Sequence, residues 1–501
     1  MKKFLALCLT AVLAVAGIGV LSGCAEDDGK MKVGLIALHD ENSTYDKNFI
    51  QAFKEACGNK DVTAVIKTGI PETDLCYQTA CDLVDEGCDV IFADSFSHEE
   101  FVVRAAKEYP DVQFCHATGV TGHTGEQKNF HNAFASIYEG RYLVGVAAGM
   151  KLAEMDKNKE LKASNYDAEG NIKIGYVGAH PYAEVISGYT AFYLGAKSVV
   201  SNLVMDVRFT GSWNDQTKEK ETAQTLISEG AALISQHADS LGAPSACEEN
   251  GSVPNVAYNG NTSSTCPETY LAATKVNWVP YFEYMIDCAL KGEAIDYDWC
   301  GTLETGSVVV EELGKNAAEG TAEKLAEVTA ELKSGERHVF DCDTFTVDNK
   351  KLETYKVEGD IEVVKDGYFH ESDISLYRSA PYFDLLIDGR KLKKRTMKTQ
   401  DGEESLSAAC CFRIIFTRYG CGRIRHFGIE KHQQIFRFGR REQGGRSYPA
   451  QRGDPRFARG KRKRQNHAHE HDLGDLLSRR GADLRQRPRG FHRFPAGRVP
   501  L

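Results

Sequence analysis

Residues 1–390 contain no Cys-x-x-Cys pair and no His-x-His or His-Glu-x-x-His spacing, so none of the usual protein zinc sites is encoded there. The whole chain lacks an in-frame Gly-x-Ser-x-Gly elbow and a Gly-x4-Gly-Lys-Ser/Thr loop, which removes the serine-hydrolase and P-loop readings. We therefore expect no catalytic residues, no cofactor and no metal. Positive charge is also scarce where the chain is well patterned: 28 of the 61 Lys plus Arg lie beyond residue 390, against 10 of the 71 Asp plus Glu. An acidic body does not present the concentrated basic surface that phosphate backbones require, so nucleic acid is excluded as a partner.

One apolar run stands apart, Phe4 to Leu21, preceded by Lys2 and Lys3 and followed by Leu21-Ser22-Gly23-Cys24. A charged start, an apolar core and small residues before a cysteine form an export signal ending at a lipidation site. We expect cleavage before Cys24 and a membrane anchor there on the extracytoplasmic face, since more than one acyl chain is needed for stable attachment. Export permits disulfides, and Cys76 with Cys81, or Cys288 with Cys300, are close in sequence. Buried free thiols are the alternative, because cysteine packs well as a small apolar residue.

From Met31 onward, apolar strand patterns alternate with helical ones, which predicts parallel sheets in an α/β fold. The pattern occurs twice. Lys32-Val33-Gly34-Leu35-Ile36-Ala37 is echoed by Lys173-Ile174-Gly175-Tyr176-Val177-Gly178, and Leu83-Val84-Asp85-Glu86-Gly87 by Leu226-Ile227-Ser228-Glu229-Gly230. Two doubly wound, three-layer lobes follow, with a ligand cleft between the carboxyl ends of their strands. Polar and aromatic residues at those ends are the candidates: His39, Asp40, Thr44, Tyr45, Asp94, Ser95, Phe96, His116 and Thr118 in one lobe, and His180, Tyr182, Trp213, Asp215, Asp239, Ser240, Asn259, Lys275 and Trp278 in the other. Aromatic rings suit a planar ligand, and Asp or Asn suits ring nitrogens or hydroxyls. Asp239 is the sharpest, because a carboxylate ending an apolar strand is costly unless paired or functional. Trp213 and Trp278 also fit a core role, and Asn214 or Asp215 fits a helix N-cap.

Several segments resemble the basic membrane protein family of ABC-transporter substrate-binding lipoproteins, in particular its purine-nucleoside receptors. These are Asp46-Lys47-Asn48-Phe49, Phe114 to Gly119, Tyr138 to Gly145, Trp213-Asn214-Asp215, Gln236 to Ser240, Asn277 to Tyr281 and Ser379 to Asp384. The resemblance implies a type I periplasmic-binding-protein-like fold and hinge closure on a solute, which is handed to a permease and its ATPase. It also implies that Phe49 stacks on a purine, that Asp239 takes polar ligand edges and that Lys275 reaches a ribose. Asp40, Tyr45, Phe96, Trp213, Asn259 and Trp278 complete the expected ligand set. Where the family often has a second stacking Phe, this chain has Gly188 followed by Tyr189. A membrane-anchored sensor of the same fold is the alternative function.

The expected organisation is a signal peptide at 1–23, a lipidated tether at 24–30 and a first lobe at 31–150 with a return segment at 276–300. A second lobe spans 151–275 with 301–389, and a basic tail spans 390–501. In the tail the apolar periodicity fades. Codons allowed for Arg452 to Ala468, read one base later, can encode Gly-Glu-Ile-Leu-Ala-Leu-Leu-Gly-Glu-Asn-Gly-Ser-Gly-Lys-Thr-Thr-Leu, a phosphate-binding loop in its strand and helix context. We therefore read the tail as an ATPase gene translated out of frame, disordered as protein and without function for its His467, His469 and His471.

Overall fold

Strands such as Val90-Ile91-Phe92-Ala93 are apolar without a break and fully buried, with Val90 and Phe92 in one core cluster and Ile91 and Ala93 in another. Burial of both faces is what a parallel sheet covered by helices on two sides demands. The computed structural model describes residues 29–251 and 253–392, with short backbone pairs at 397–398 and 404–405. The signal segment, Cys24 and the tail's His and Arg clusters lie outside the described residues.

The first sheet takes β1 (Lys32–Ile36), β2 (Thr63–Lys67), β3 (Cys88–Ala93), β4 (Gln113–Ala117) and β5 (Phe130–Ala135), separated by α1 (Thr44–Lys60), α2 (Asp74–Asp85) and α3 (Glu99–Glu108). The chain then enters α4 (Ile137–Lys157), β6 (Ile172–Gly178), α5 (Ala183–Lys197), β7 (Leu203–Phe209), α6 (Gln216–Ser228), β8 (Ile234–His237), α7 (Gly242–Asn250), β9 (Asn255–Tyr258) and β10 (Tyr270–Val276). It returns through α8 (Val279–Lys291) and β11 (Asp298–Gly301), and goes back by β12 (Val308–Val310) and α9 (Thr321–Ser334). The sheets run β2-β1-β3-β4-β5-β11 and β7-β6-β8-β9-β10-β12, the same order twice, with only β12 antiparallel among these strands.

The repetition reaches atomic detail. Lys32 Nζ donates to the Glu86 carbonyl at 3.2 Å and Lys173 Nζ to the Glu229 carbonyl at 2.6 Å, each closing the end of a helix before a glycine of positive φ, Gly87 or Gly230. Gly34 lets Leu83 pack on β1, where a Cβ would lie 3.0 Å from the leucine, and Gly175 does the same for Leu226 at 3.0 Å.

The handover between lobes corrects one expected boundary. Helix α4 packs on the second lobe along its length, because Gly145 and Gly195 bring two helix backbones together; a Cβ at Gly145 would lie 2.2 Å from the Phe192 carbonyl and one at Gly195 2.1 Å from that of Tyr142. The chain thus crosses at Ser136, ahead of residue 150. The crossings lie side by side, with Ser136 N bonded to the Gly301 carbonyl at 2.8 Å and Asn277 N to the Ser307 carbonyl at 2.7 Å. The closing segment touches both lobes: Ser379 N donates to Asp298 at 2.9 Å, and Arg390–Leu392 adds a parallel strand beside β7. The ten described cysteines from Cys57 to Cys342 are all free, so neither of the two suggested pairs is bonded.

Candidate functional site

The carboxyl ends of β1, β3 and β4 face those of β6, β8 and β9, and the loops that leave them enclose a small interlobe cavity. Leu38, His39, Tyr45, Asp46, Ser95, Phe96 and Thr118 line it from the first lobe, and Glu184, Trp213, His237, Asp239 and Tyr258 from the second. Its free volume is about 20 Å³, room for one water, so a larger solute enters only when the lobes part. Direct bonds hold them together: Thr44 N and Oγ1 donate to the Asp239 carbonyl at 3.1 and 3.2 Å, and the Asn48 amide donates to the Asn259 carbonyl at 2.9 Å. At the mouth Phe96 stacks on Tyr182 across the gap with centroids 5.5 Å apart.

Corresponding strand ends are strained in the same way. Thr118, after β4, and Asn259, after β9, both hold positive φ, at 63° and 60°. For a β-branched threonine this conformation is costly, and it is the kind of strain that accompanies functional loops. Asn259 uses its amide to bond Asp239 Oδ1 at 3.3 Å.

The carboxylates differ in environment. Asp46 sits in the first turn of α1, where His39 N donates to Oδ1 at 2.7 Å, and Ser43 Oγ and His39 Nδ1 approach Oδ2 at 2.5 and 3.2 Å. Burial works to raise this carboxyl, but those hydrogen bonds outweigh it and hold it below the usual range. Asp239 is pushed well up, first by burial and then by the charges of Glu219, Asp46 and Glu184. Behind the lining, Asp94 is likewise raised by burial and by Asp46, and burial lifts Glu219 to about 7.

Of the expected ligand set, Tyr45, Phe96, Trp213 and Asp239 meet at the cavity, with Asn259 beside Asp239. Phe49 and Trp278 lie beneath it, fully buried and stacked on each other at 4.4 Å, with Tyr45 resting on Phe49 at 4.8 Å. They form the floor. Asp40 is exposed and accepts Asn42 N in a turn before α1, and Lys275 pairs with Glu311 at 2.5 Å on the edge of β10. Neither reaches the cavity. Asp215 is the N-cap of α6, accepting Lys218 N at 3.0 Å. The His39, His116 and His180 trio does not converge: His39 binds Asp46, His116 reaches the Ser95 carbonyl at 2.7 Å, and His180 stacks on Tyr182.

Sequence reasoning missed Leu38, Asp46, Glu184, His237 and Tyr258 as lining residues. His237 follows from Gly188: a Cβ there would lie 2.5 Å from the imidazole Nδ1, so the glycine leaves room for a histidine from β8. That ring rests on Tyr258 at 4.1 Å, and Tyr189 turns into the core against Tyr176. The pairing of Gly188 with a histidine 49 residues later leaves no local pattern to read.

A family model described as ABC transporter substrate-binding protein PnrA-like (Bmp) matches residues 34–339. A purine-binding protein of Brucella abortus is 32% identical over 340 residues, 66% of this chain and 88% of that protein. An ABC transporter nucleoside-binding protein, BmpA of Lactococcus lactis, is 28% identical over 247 residues, 46% of this chain and 64% of its own length. A protein of Haloferax volcanii with the provisional name ABC transporter glucose-binding protein TsgA13 is 30% identical over 253 residues, 50% of this chain and 59% of its own length. Among solved structures, a solute-binding protein of an ABC transporter system from Aeropyrum pernix superposes with a TM-score of 0.50 at 14% identity, covering 64% of this chain and 94% of that one. That likeness concerns the fold alone.

Proposed function

Because this chain belongs to the Bmp family of PnrA-like ABC transporter substrate-binding proteins, we propose that its solute is a purine nucleoside, captured between the lobes and passed to a permease, with the receptor held to the membrane by lipid at Cys24. The observation that carries the reading is the lining itself. Aromatic rings from both lobes, Tyr45, Phe96, Trp213 and Tyr258, surround carboxylates that accept from ring N–H and ribose hydroxyl groups, and no Lys or Arg is among the lining residues. A phosphate would meet carboxyl groups on both sides, which disfavours nucleotides.

Binding works by differential affinity. Solute contacts made to one lobe are completed only when the other arrives, and the closed population rises by that difference. Among the described residues no helix is long and apolar enough to cross a membrane, and the anchor rests on the signal at Cys24. Calorimetric titration with guanosine, inosine, adenosine, AMP and glucose tests the ligand. Nucleosides are expected to bind and AMP to fail; glucose binding in the absence of any nucleoside response would replace the reading with a sugar receptor. Deleting the gene should abolish nucleoside uptake, and normal uptake with intact binding would make the protein a sensor.

A further inference from the structure

The cleft gathers carboxyl groups with no Lys or Arg among its lining residues, and burial together with neighbouring carboxylates drives Asp239 and Asp94 toward their neutral forms. Asp46, Glu184 and Asp239 face the cavity, and Asp94 and Glu219 are fully buried behind it. Only His39, among the lining residues, offers a compensating charge, and it is already bonded to Asp46. The guanidinium of Arg141 is buried at 5.2 Å from the Tyr258 ring, and it donates to Ser235 Oγ at 2.7 Å and Tyr176 Oη at 3.1 Å.

His237 adds an independent sign of a missing partner. It is 1% exposed and lines the cavity; its Nδ1 has no hydrogen bond, and its Nε2 stands 3.5 Å from Glu184 at the limit of contact. Burial keeps this imidazole below its ordinary range and hence uncharged. It therefore does not neutralise Glu184. Phe96, Trp213 and Tyr258 line the same space, and aromatic rings attract cations most strongly where water is excluded.

We propose that the solute carries a positive charge on its ring system: a cationic purine nucleoside, such as one alkylated at a ring nitrogen, held by Glu184 and Asp239 among the aromatic rings. The proposal rests on the nucleoside reading above and narrows it. A neutral nucleoside leaves Asp239 held toward its neutral form beside Glu184. A cationic one supplies a counter-charge that favours the ionised form of Asp239 and strengthens its hold on the ring.

The test is equilibrium titration of the protein, near neutral pH, with adenosine, 1-methyladenosine and N6-methyladenosine. The two methylated compounds are isomers of equal size, and only the first is cationic; guanosine and 7-methylguanosine give a second pair with the methyl group elsewhere. The expected result is binding at least tenfold tighter for a cationic member than for its neutral partner. Glu184→Gln should reduce that ratio several-fold, and the wild-type ratio stands as evidence even if the variant misfolds. Neutral nucleosides binding as tightly as both cationic ones, or more tightly, would overturn this proposal and leave the nucleoside reading intact. No response to any nucleoside would remove both.

Discussion

Gly188 lacks a side chain because His237 occupies the space one would need, and the consequence is measurable. Gly188→Ala forces a Cβ to within 2.5 Å of the imidazole, so the ring and Tyr258 stacked on it must shift. The helix keeps its conformation, and we expect an overpacking loss of about 1–3 kcal/mol in denaturant melts, accompanied by weaker solute binding. Residue by residue, the sequence revealed the groups whose chemistry is conspicuous. Asp239 was legible because a carboxylate at the end of an apolar strand needs a reason, and Trp213 and Tyr45 because large polar-tipped rings follow strand ends. Lys275 and Asp40 were equally conspicuous, but their neighbours in space, Glu311 just after β12 and the turn at Asn42, decide their roles.

At the scale of one element, the N-terminus of α1 carries a pH-dependent pair, His39 with Asp46, within the first lobe. The hydrogen bond to Asp46 raises His39 above its ordinary 6.5, with burial opposing, and Asp46 falls below 3.8 despite its burial. A raised histidine stabilises fully below 6.5 and loses that contribution as pH rises through its folded value. A lowered carboxyl stabilises fully above 3.8 and loses it as pH falls through its own folded value. The pair thus contributes most between pH 3.8 and 6.5. The difference in melting temperature between wild type and His39→Gln, followed across pH, should peak in that window; a difference independent of pH would show that the pair is not coupled. Elements were the most legible scale, since α/β alternation and the echo of Lys32–Ala37 in Lys173–Gly178 gave the sheets. The extent of α4 was not legible, because its glycines signal a partner helix without saying in which lobe it lies.

For the whole molecule, closure and binding are separable. Asn48 lies on α1, and its amide reaches the Asn259 carbonyl in the other lobe without lining the cavity. Asn48→Ala should weaken solute binding about fivefold to tenfold, as expected for one lost hydrogen bond of about 1 kcal/mol, and chiefly through faster release. An unchanged dissociation rate in stopped-flow chase would argue that the lobes are held by the solute alone. The ten free cysteines add that no covalent bond among the described residues sets the lobe geometry.

The placement of the three tryptophans has an optical consequence. Trp278 is sealed in the floor against Phe49, and Trp299 packs on Tyr281 in the same lobe. Trp213 alone borders the space a solute enters. The protein therefore carries a built-in fluorophore at its mouth and two tryptophans that do not line the cavity, so intrinsic emission can follow occupancy in real time without a dye, a label or an engineered cysteine.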